Sequence, residues 1–490
     1  MTTYDLVIVG GGVAGLCAAL SLPAGARVVV IDKGESEAGS SPLAQGGMAA
    51  AVGKDDSPPL HAEDTIKAGA GLCDEGVVAD ICSEGPDAIA WLQSLGCRFD
   101  EDADGSINLA REGGQSVARS VHARDATGAE IVRALRTAVR GRNIERVRSR
   151  ATSLVSLGDT MALAYPGRHP GENESRCVGV MTTDRRIFAA RGVLLATGGA
   201  GALWGVTTNA PGATGDGIAL ALGAADVADV EFMQFHPTAL AGTDGQRVLL
   251  TEALRGDGAI LVDANGDRFV DELAPRHIVA KAILDHAPAY LDCRTIASVE
   301  EHFPTVATAC RDRGLDIAHD PLPVSPAAHY FIGGVAVDAF GRSSLGGLFA
   351  AGECSSTGMH GANRLAGNSL LEAVVVGRRV GSLVRDEPEP PRVIPWTSTE
   401  SDFLPMNAAL PGILWKGAGP IRSDETLRTA MQELNGLPEG PHRSLALAIV
   451  EAAQNREESR GVHIRSDFPD ADPHIARRRM ARGRIVGHVK

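Results

Sequence analysis

An α/β fold is predicted from three observations: a strand, glycine turn, helix and strand in succession over residues 6–32; two later apolar runs that end in glycines; and a helical pattern near the C-terminus. A length of 490 residues corresponds to about three domains. Glycine accounts for 58 residues, well above the usual share of about 7%, so many close backbone approaches are expected. With 47 basic and 61 acidic residues the net charge is −14, which argues against a non-specific nucleic-acid binder. Any bound anion must therefore be met by local positive charge.

The first unit reads DLVIVG, GGVAGLCAALSL and ARVVVID. Gly10, Gly12 and Gly15 form G-x-G-x-x-G at the strand-to-helix turn, with Gly11, Val13 and Ala14 between them. Asp32 closes the second strand at the distance where an acid binds a ribose 2′-hydroxyl, and the helix N-terminus offers N–H groups to a pyrophosphate. This predicts dinucleotide binding; the alternative is a tight turn in a sheet without ligand. Lys33 after Asp32 does not by itself decide between FAD and NAD. A second fingerprint is missing, which disfavours a flavin enzyme with a separate nicotinamide domain.

RGVLLATGG (191–199) and GLFAAGEC (347–354) read as buried strands that return the chain to the nucleotide. Between them, residues 230–330 are rich in His, Arg and acids and read as an inserted domain. The Pro-rich stretch 386–395 reads as a linker, and helical patterns follow it. Residues 6–22 are not a secretory leader, because Met1–Asp5 carries no Lys or Arg and glycines break the run. Uninterrupted apolar stretches fall short of the ~18 residues of a membrane span. The eight cysteines are scattered without a C-x-x-C pair, so no metal centre is expected. These features describe a reduced, cytoplasmic enzyme.

Several strings combine glycine with charged or hydroxyl side chains. Gln45-Gly46-Gly47 in SSPLAQGGMAA forms a turn whose N–H groups suit a flavin ring, and Asp216 in TGDGIALA sits at a helix start, where it equally reads as a cap. His236 in QFHPT, Arg276 in APRHI, His329 in AAHYF and Arg364 in GANRL lie in Gly-, Pro- or Ala-rich surroundings with few local partners. Singly, each His reads as a structural residue. With Thr251 and Glu252 of LLTEALRG the set reads as a cradle for carboxylates, since Arg pairs with a carboxylate through two parallel hydrogen bonds worth roughly 1.5–3 kcal/mol each.

The strings AQGGMAA, HAEDTIKAG, EGGQS, ATGG, QFHPT, TEALRGDG, APRHIVA, HYFIGGV, AAGECSSTGMHGANRLAGNSLLE and ESRGVHIRSDFP resemble, in order, the flavoprotein group that contains succinate dehydrogenase, fumarate reductase and L-aspartate oxidase. The resemblance implies a Rossmann-like FAD-binding domain in two segments, 1–229 and 331–388, an inserted α+β capping domain, 230–330, and a C-terminal helical domain, 395–490. It implies FAD contacts from Gly10, Gly11, Gly12, Val13, Ala14, Gly15, Asp32, Lys33, Ser40, Ala44, Gln45, Gly46, Gly47, Asp216, Glu353, Ser369 and Leu370. It further implies carboxylate binding by His236, Thr251, His329 and Arg364, a part for Glu252, and proton transfer by Arg276. That last role sits awkwardly with a guanidinium pKa above about 12.

Two positions choose among family members. Covalent-flavin members carry His five residues before the Gln of AQGG; here it is Ser40, so non-covalent FAD is expected. Glu112 in REGGQS stands where the dehydrogenases and reductases usually carry Phe, as in aspartate oxidases. A carboxylate answers a substrate ammonium, which would cost several kcal/mol if buried unpaired. The expectation is oxidation of L-aspartate to iminoaspartate with O2 or fumarate as acceptor, opening the quinolinate route to NAD, with hand-over of product to quinolinate synthase. The alternatives are a soluble fumarate reductase or succinate dehydrogenase flavoprotein subunit and, from another class, a non-catalytic flavin-binding redox partner. Departures from the family pattern are Gln115 in place of a common His, Phe331-Ile332 after His329-Tyr330, and a short C-terminal domain.

Overall fold

The structure is a computed structural model that describes residues 2–34, 39–157, 176–242, 247–390, 405–475, 477–481 and 484–489. Its centre is a seven-stranded sheet in which Ile144–Arg148, Val28–Asp32, Thr3–Val9 and Ile187–Leu195 lie parallel in that order. Leu348–Ala350 pairs parallel with Ile187–Leu195, so both runs expected to return to the nucleotide end beside the first strand. Ala151–Ser156 and Cys177–Thr182 add an antiparallel edge. The inner parallel strands are buried on both faces, which explains their Val-, Ile- and Leu-rich runs, whereas the edge strand Ile144–Arg148, IERVR, is largely exposed. One face is covered by the helices Val13–Ser21, Thr127–Val139 and Asn368–Leu383, the other by C-terminal helices.

The inserted segment builds a four-stranded antiparallel sheet in the order Met233–Leu240, Leu322–Phe331, Ala289–Asp292 and Ile260–Val262, with an apolar core of its own. At its root the two-residue period sorts side chains. Phe235 and Phe331 join Trp204 and Trp415 in an aromatic cluster with centroids 6.0–6.4 Å apart, while Gln234 and His236 face away from it.

Helices Leu410–Gly417, Asp424–Asn435 and Pro441–Asn455 pack on the sheet as the pattern predicts. The helical character does not run to the end of the chain. Arg477–Ala481 and Arg484–Val489 form an antiparallel hairpin that pairs with Val227–Ala228, beside Gly334–Ala336 and Ser355–Ser356. A strand whose partner lies far upstream carries no local sign of it. Of the linker 386–395, the first residues are tied down by Arg176 to Glu387 and Arg191 to Glu389; residues 391–395, with the start of the region read as 395–490, lie outside the described residues. No described helix is long and apolar enough to cross a membrane.

The cap is also held from the side. The Asp125 carboxylate accepts from Thr305 N at 2.8 Å, Val306 N at 3.2 Å and Thr305 Oγ1 at 2.9 Å, capping the cap-domain helix Pro304–Arg311 from outside its own segment. Removing such a cap costs about 1–2 kcal/mol. Asp125→Ala is expected to speed amide hydrogen exchange in Pro304–Arg311 selectively, with the central sheet unchanged; uniform exchange rates would refute the tie.

Candidate active site

One continuous cavity runs from the first strand-to-helix turn to the root of the cap. Gly10 has φ +108°, and a Cβ there would lie 2.2 Å from the Ala196 carbonyl oxygen, so only glycine lets the two parallel strands meet at the turn. Gly10, Gly11, Gly12, Val13, Ala14, Asp32, Lys33, Ser40, Ala44, Gln45, Gly46, Gly47, Asp216, Glu353, Ser369 and Leu370 all line the cavity. Gly15 does not: a Cβ there would meet the Gly10 carbonyl at 2.3 Å, so its part is to seat the helix on the strand. Ser40 Oγ and Gln45 Oε1 are buried in this wall with no protein partner, as expected of groups that face a polar ligand.

Asp216 begins the helix Asp216–Ala221 but does not cap it. Its carboxylate instead meets Lys33 Nζ at 2.7 Å, Arg150 Nη1 at 2.8 Å, Thr214 Oγ1 at 2.5 Å and His442 Nε2 at 3.2 Å. Burial alone would raise its carboxyl, but His442, Lys33 and Thr214 hold it well below the usual range.

At the other end the residues that the sequence groups as a carboxylate cradle come together. Glu112, His236, Thr251, Glu252, Arg276, His329 and Arg364, far apart in sequence, line the same end of the cavity. Gln234 Oε1 accepts from Arg276 Nη1 and from Arg364 Nη2, each at 2.9 Å, and so holds two guanidinium groups side by side. Arg276 Nε and Nη2 both lie 2.6 Å from Glu252 Oε2, and Arg255 Nη2 stands 3.6 Å from the same oxygen. The Arg364 guanidinium lies over the Tyr330 ring, 4.4 Å from its centroid. His329 Nδ1 is bonded to Thr208 Oγ1 at 2.9 Å, and its ring meets His236 edge-on at 5.0 Å. His236 Nδ1 and Arg364 Nε are buried without protein partners.

Burial and the positive charges of Arg276, Arg255 and Arg364 keep His236 well below its ordinary value, and burial with His236 and Arg276 does the same to His329. Both imidazoles are neutral at pH 7 in the free site. Glu252 is buried, yet Arg276 and Arg255 hold its carboxyl down to about 2. Glu112 is shifted the other way, by burial and by Glu252, although Gly47 N donates to its Oε1 at 3.0 Å. Three arginines against one firmly ionised glutamate leave this end electropositive, which suits a ligand with two carboxylates.

A family model described as FAD binding domain matches residues 5–370, and one described as fumarate reductase flavoprotein C-term matches residues 441–482. The L-aspartate oxidase of Streptomyces coelicolor is 43% identical, over 97% of this chain and 90% of the relative. The L-aspartate oxidase of Caulobacter vibrioides is 44% identical, over 96% of each. The chain belongs to the L-aspartate oxidase family. Among solved structures, E. coli quinol fumarate reductase FrdA superposes with a TM-score of 0.84 at 28% identity, over 98% of this chain and 94% of that one. Mycobacterium smegmatis Sdh1 gives 0.78 at 30% identity, over 96% and 90%. The fold class expected from the sequence is thus that of the family, and FAD is its cofactor.

Several residues of this family member's site escaped the sequence reading. Gln234 was legible in principle, two positions before His236 on one strand and therefore on the same face. Arg255, three residues after Glu252 on the helix Glu252–Gly256, had the same kind of signal. Tyr330 had none, because neighbours on a strand normally face opposite ways. Here Gln234 pairs with Tyr330 and Phe235 with Ala328, so His329 is an extra residue, and this bulge aims both His329 and Tyr330 at the cavity.

Glu353 is partly buried in the cavity wall, and desolvation, offset in part by the Phe331 N–H at 2.9 Å and by Arg364, raises its carboxyl to about 7. The folded chain therefore holds this proton more tightly than the unfolded one, whose Glu titrates near about 4.3. The resulting stabilisation is complete below that value and is lost as pH rises through about 7. Glu353→Gln is expected to flatten the fall in apoprotein melting temperature between about pH 5 and 7.5; parallel curves for variant and wild type would refute the assignment.

Proposed function

We propose that the chain oxidises L-aspartate to iminoaspartate with non-covalently bound FAD, and that the observation carrying this reading is Glu112 in a cavity end otherwise built for anions. An α-amino dicarboxylate brings two negative charges and one positive. Arg364 and Arg276 meet the carboxylates, aligned by the shared Gln234 oxygen, while neutral His236 and His329, with Thr251, donate hydrogen bonds. Glu112 pairs with the ammonium, and the incoming cation restores the ionised carboxylate that burial disfavours.

Bound FAD supplies the acceptor for the α-hydrogen and its electron pair. The chain's own part is to fix the substrate and to exclude water beneath the cap. Arg276 is the proton donor in the reduction of fumarate to succinate, the separate reaction in which the acceptor takes up the electron pair; Glu252, 2.6 Å away, and Arg255 beyond it hold the guanidinium in place. Ser40 at the flavin wall has no imidazole to attach, so acid precipitation is expected to release FAD into the supernatant; flavin retained in the pellet would refute non-covalent binding.

The reading includes O2 or fumarate as electron acceptor, a cytoplasmic location, and hand-over of the product to quinolinate synthase on the route to NAD. Anaerobic addition of L-aspartate to the FAD-loaded protein should bleach the flavin, and fumarate should restore the colour. Bleaching by succinate and not by aspartate would establish the dehydrogenase instead. Glu112→Gln should lower kcat/KM for aspartate oxidation by about 100-fold or more while fumarate reduction changes far less; equal losses would refute the pairing with the ammonium.

A further inference from the structure

Gln115 lies outside the cavity wall, 2% exposed, in the turn that follows Glu112. Its Oε1 accepts from Glu112 N at 3.0 Å, and its Nε2 donates to Ser120 Oγ at 3.0 Å and to Ala366 O at 3.3 Å. One amide thus joins the turn that carries Glu112, the strand Ser120–Val121 and the loop two residues beyond Arg364. Both N–H donors of the side chain are used, and its carbonyl oxygen accepts one hydrogen bond. The orientation is decided by the partners, because the flipped amide would set N–H against the Glu112 N–H and oxygen against the Ala366 carbonyl.

The Glu112 carboxyl is held at its other end by Gly47 N, which donates to Oε1 at 3.0 Å. Gln115 therefore sets the backbone position of Glu112, and Ser120, which takes a Gln115 N–H, favours the ionised form of its carboxyl.

We propose that Gln115 is a positioning residue that holds Glu112 and Arg364 at one fixed separation and thereby selects an α-amino dicarboxylate over its amine-free analogues; the proposal rests on the reading of the chain as an oxidase of L-aspartate. An amine-free dicarboxylate uses the Arg364 and Arg276 clamp without Glu112 and is indifferent to where Glu112 stands. L-Aspartate must engage both at once, so its α-hydrogen is presented correctly only if the separation is right. The selection is made by a residue that touches neither substrate nor cofactor.

Gln115→Leu keeps the size of the side chain and removes the bridge. It is expected to lower kcat/KM for L-aspartate oxidation by about 10- to 100-fold, as loss of one or two such bonds implies, while fumarate reduction changes less than about threefold. FAD content and flavin absorbance should match wild type. Gln115→His, assayed near pH 8 where a neutral ring offers one donor and one acceptor, should recover most of the loss. If the Leu variant fails to hold FAD, Gln115→Asn, too short to reach both partners, carries the same comparison with the same expected split. Losses of equal size in both reactions, or no loss in either, would overturn the proposal while leaving the oxidase reading intact. A wild-type protein that oxidises succinate but not L-aspartate would overturn the oxidase reading and the proposal together.

Discussion

The constraint on which the site depends is the burial of three guanidinium groups, Arg255, Arg276 and Arg364, before any anion has arrived. Isolated buried charges are costly, and full neutralisation by acids would leave nothing to attract a dicarboxylate. The structure settles between these limits. Glu252 compensates Arg276 and Arg255 directly, the Gln234 oxygen takes one hydrogen bond from each of Arg276 and Arg364, and the Tyr330 ring faces Arg364. Arg364 pays the visible cost: burial and the neighbouring Arg276 lower its guanidinium to about 10.

Holding those cations in place requires support from distant parts of the chain. The loop that carries Arg364 is gripped from behind by the C-terminal segment: Val462 N donates to Ala362 O at 2.9 Å, and Gly461, with φ +55°, passes so close that a Cβ would lie 2.1 Å from that oxygen. The segment is itself anchored by buried ion pairs, Arg456 with Glu231 at 2.7 Å and with Glu458 at 2.6 Å. Such pairs add little stability for their burial, but they admit only one arrangement of the loop they hold. The strands Arg477–Ala481 and Arg484–Val489, paired onto Val227–Ala228 in the small sheet whose far edge is Ser355–Ser356, tie the same region from another side. The C-terminal region, poor in the motifs of the site, is thus a structural buttress of it.

The cap contributes through its root. The aromatic cluster of Trp204, Phe235, Phe331 and Trp415 fixes two strands whose opposite faces supply Gln234, His236, His329 and Tyr330. Pro237 lies where the register of Met233–Leu240 shifts, a place that tolerates a residue without an N–H. Two irregularities in one pair of strands are what bring the polar residues to a common point.

What the sequence by itself determined is local. The glycine turn with its acid, the apolar inner strands and the helical runs beyond the Pro-rich linker follow from periodicity and from residues with narrow backbone preferences, and these signals act over a few positions. The cationic residues were legible as a set because Gly-, Pro- and Ala-rich surroundings left them without local partners. What only the tertiary structure decided is which of them touch. Gln234 as the shared acceptor, Tyr330 brought inward by a bulge, Gln115 linking two loops, His442 reaching Asp216 and the C-terminal hairpin all depend on contacts between residues far apart in the chain. Hydrogen bonds and strand pairings of that kind leave no periodic trace, because either partner alone is compatible with many neighbours and only the folded geometry selects one.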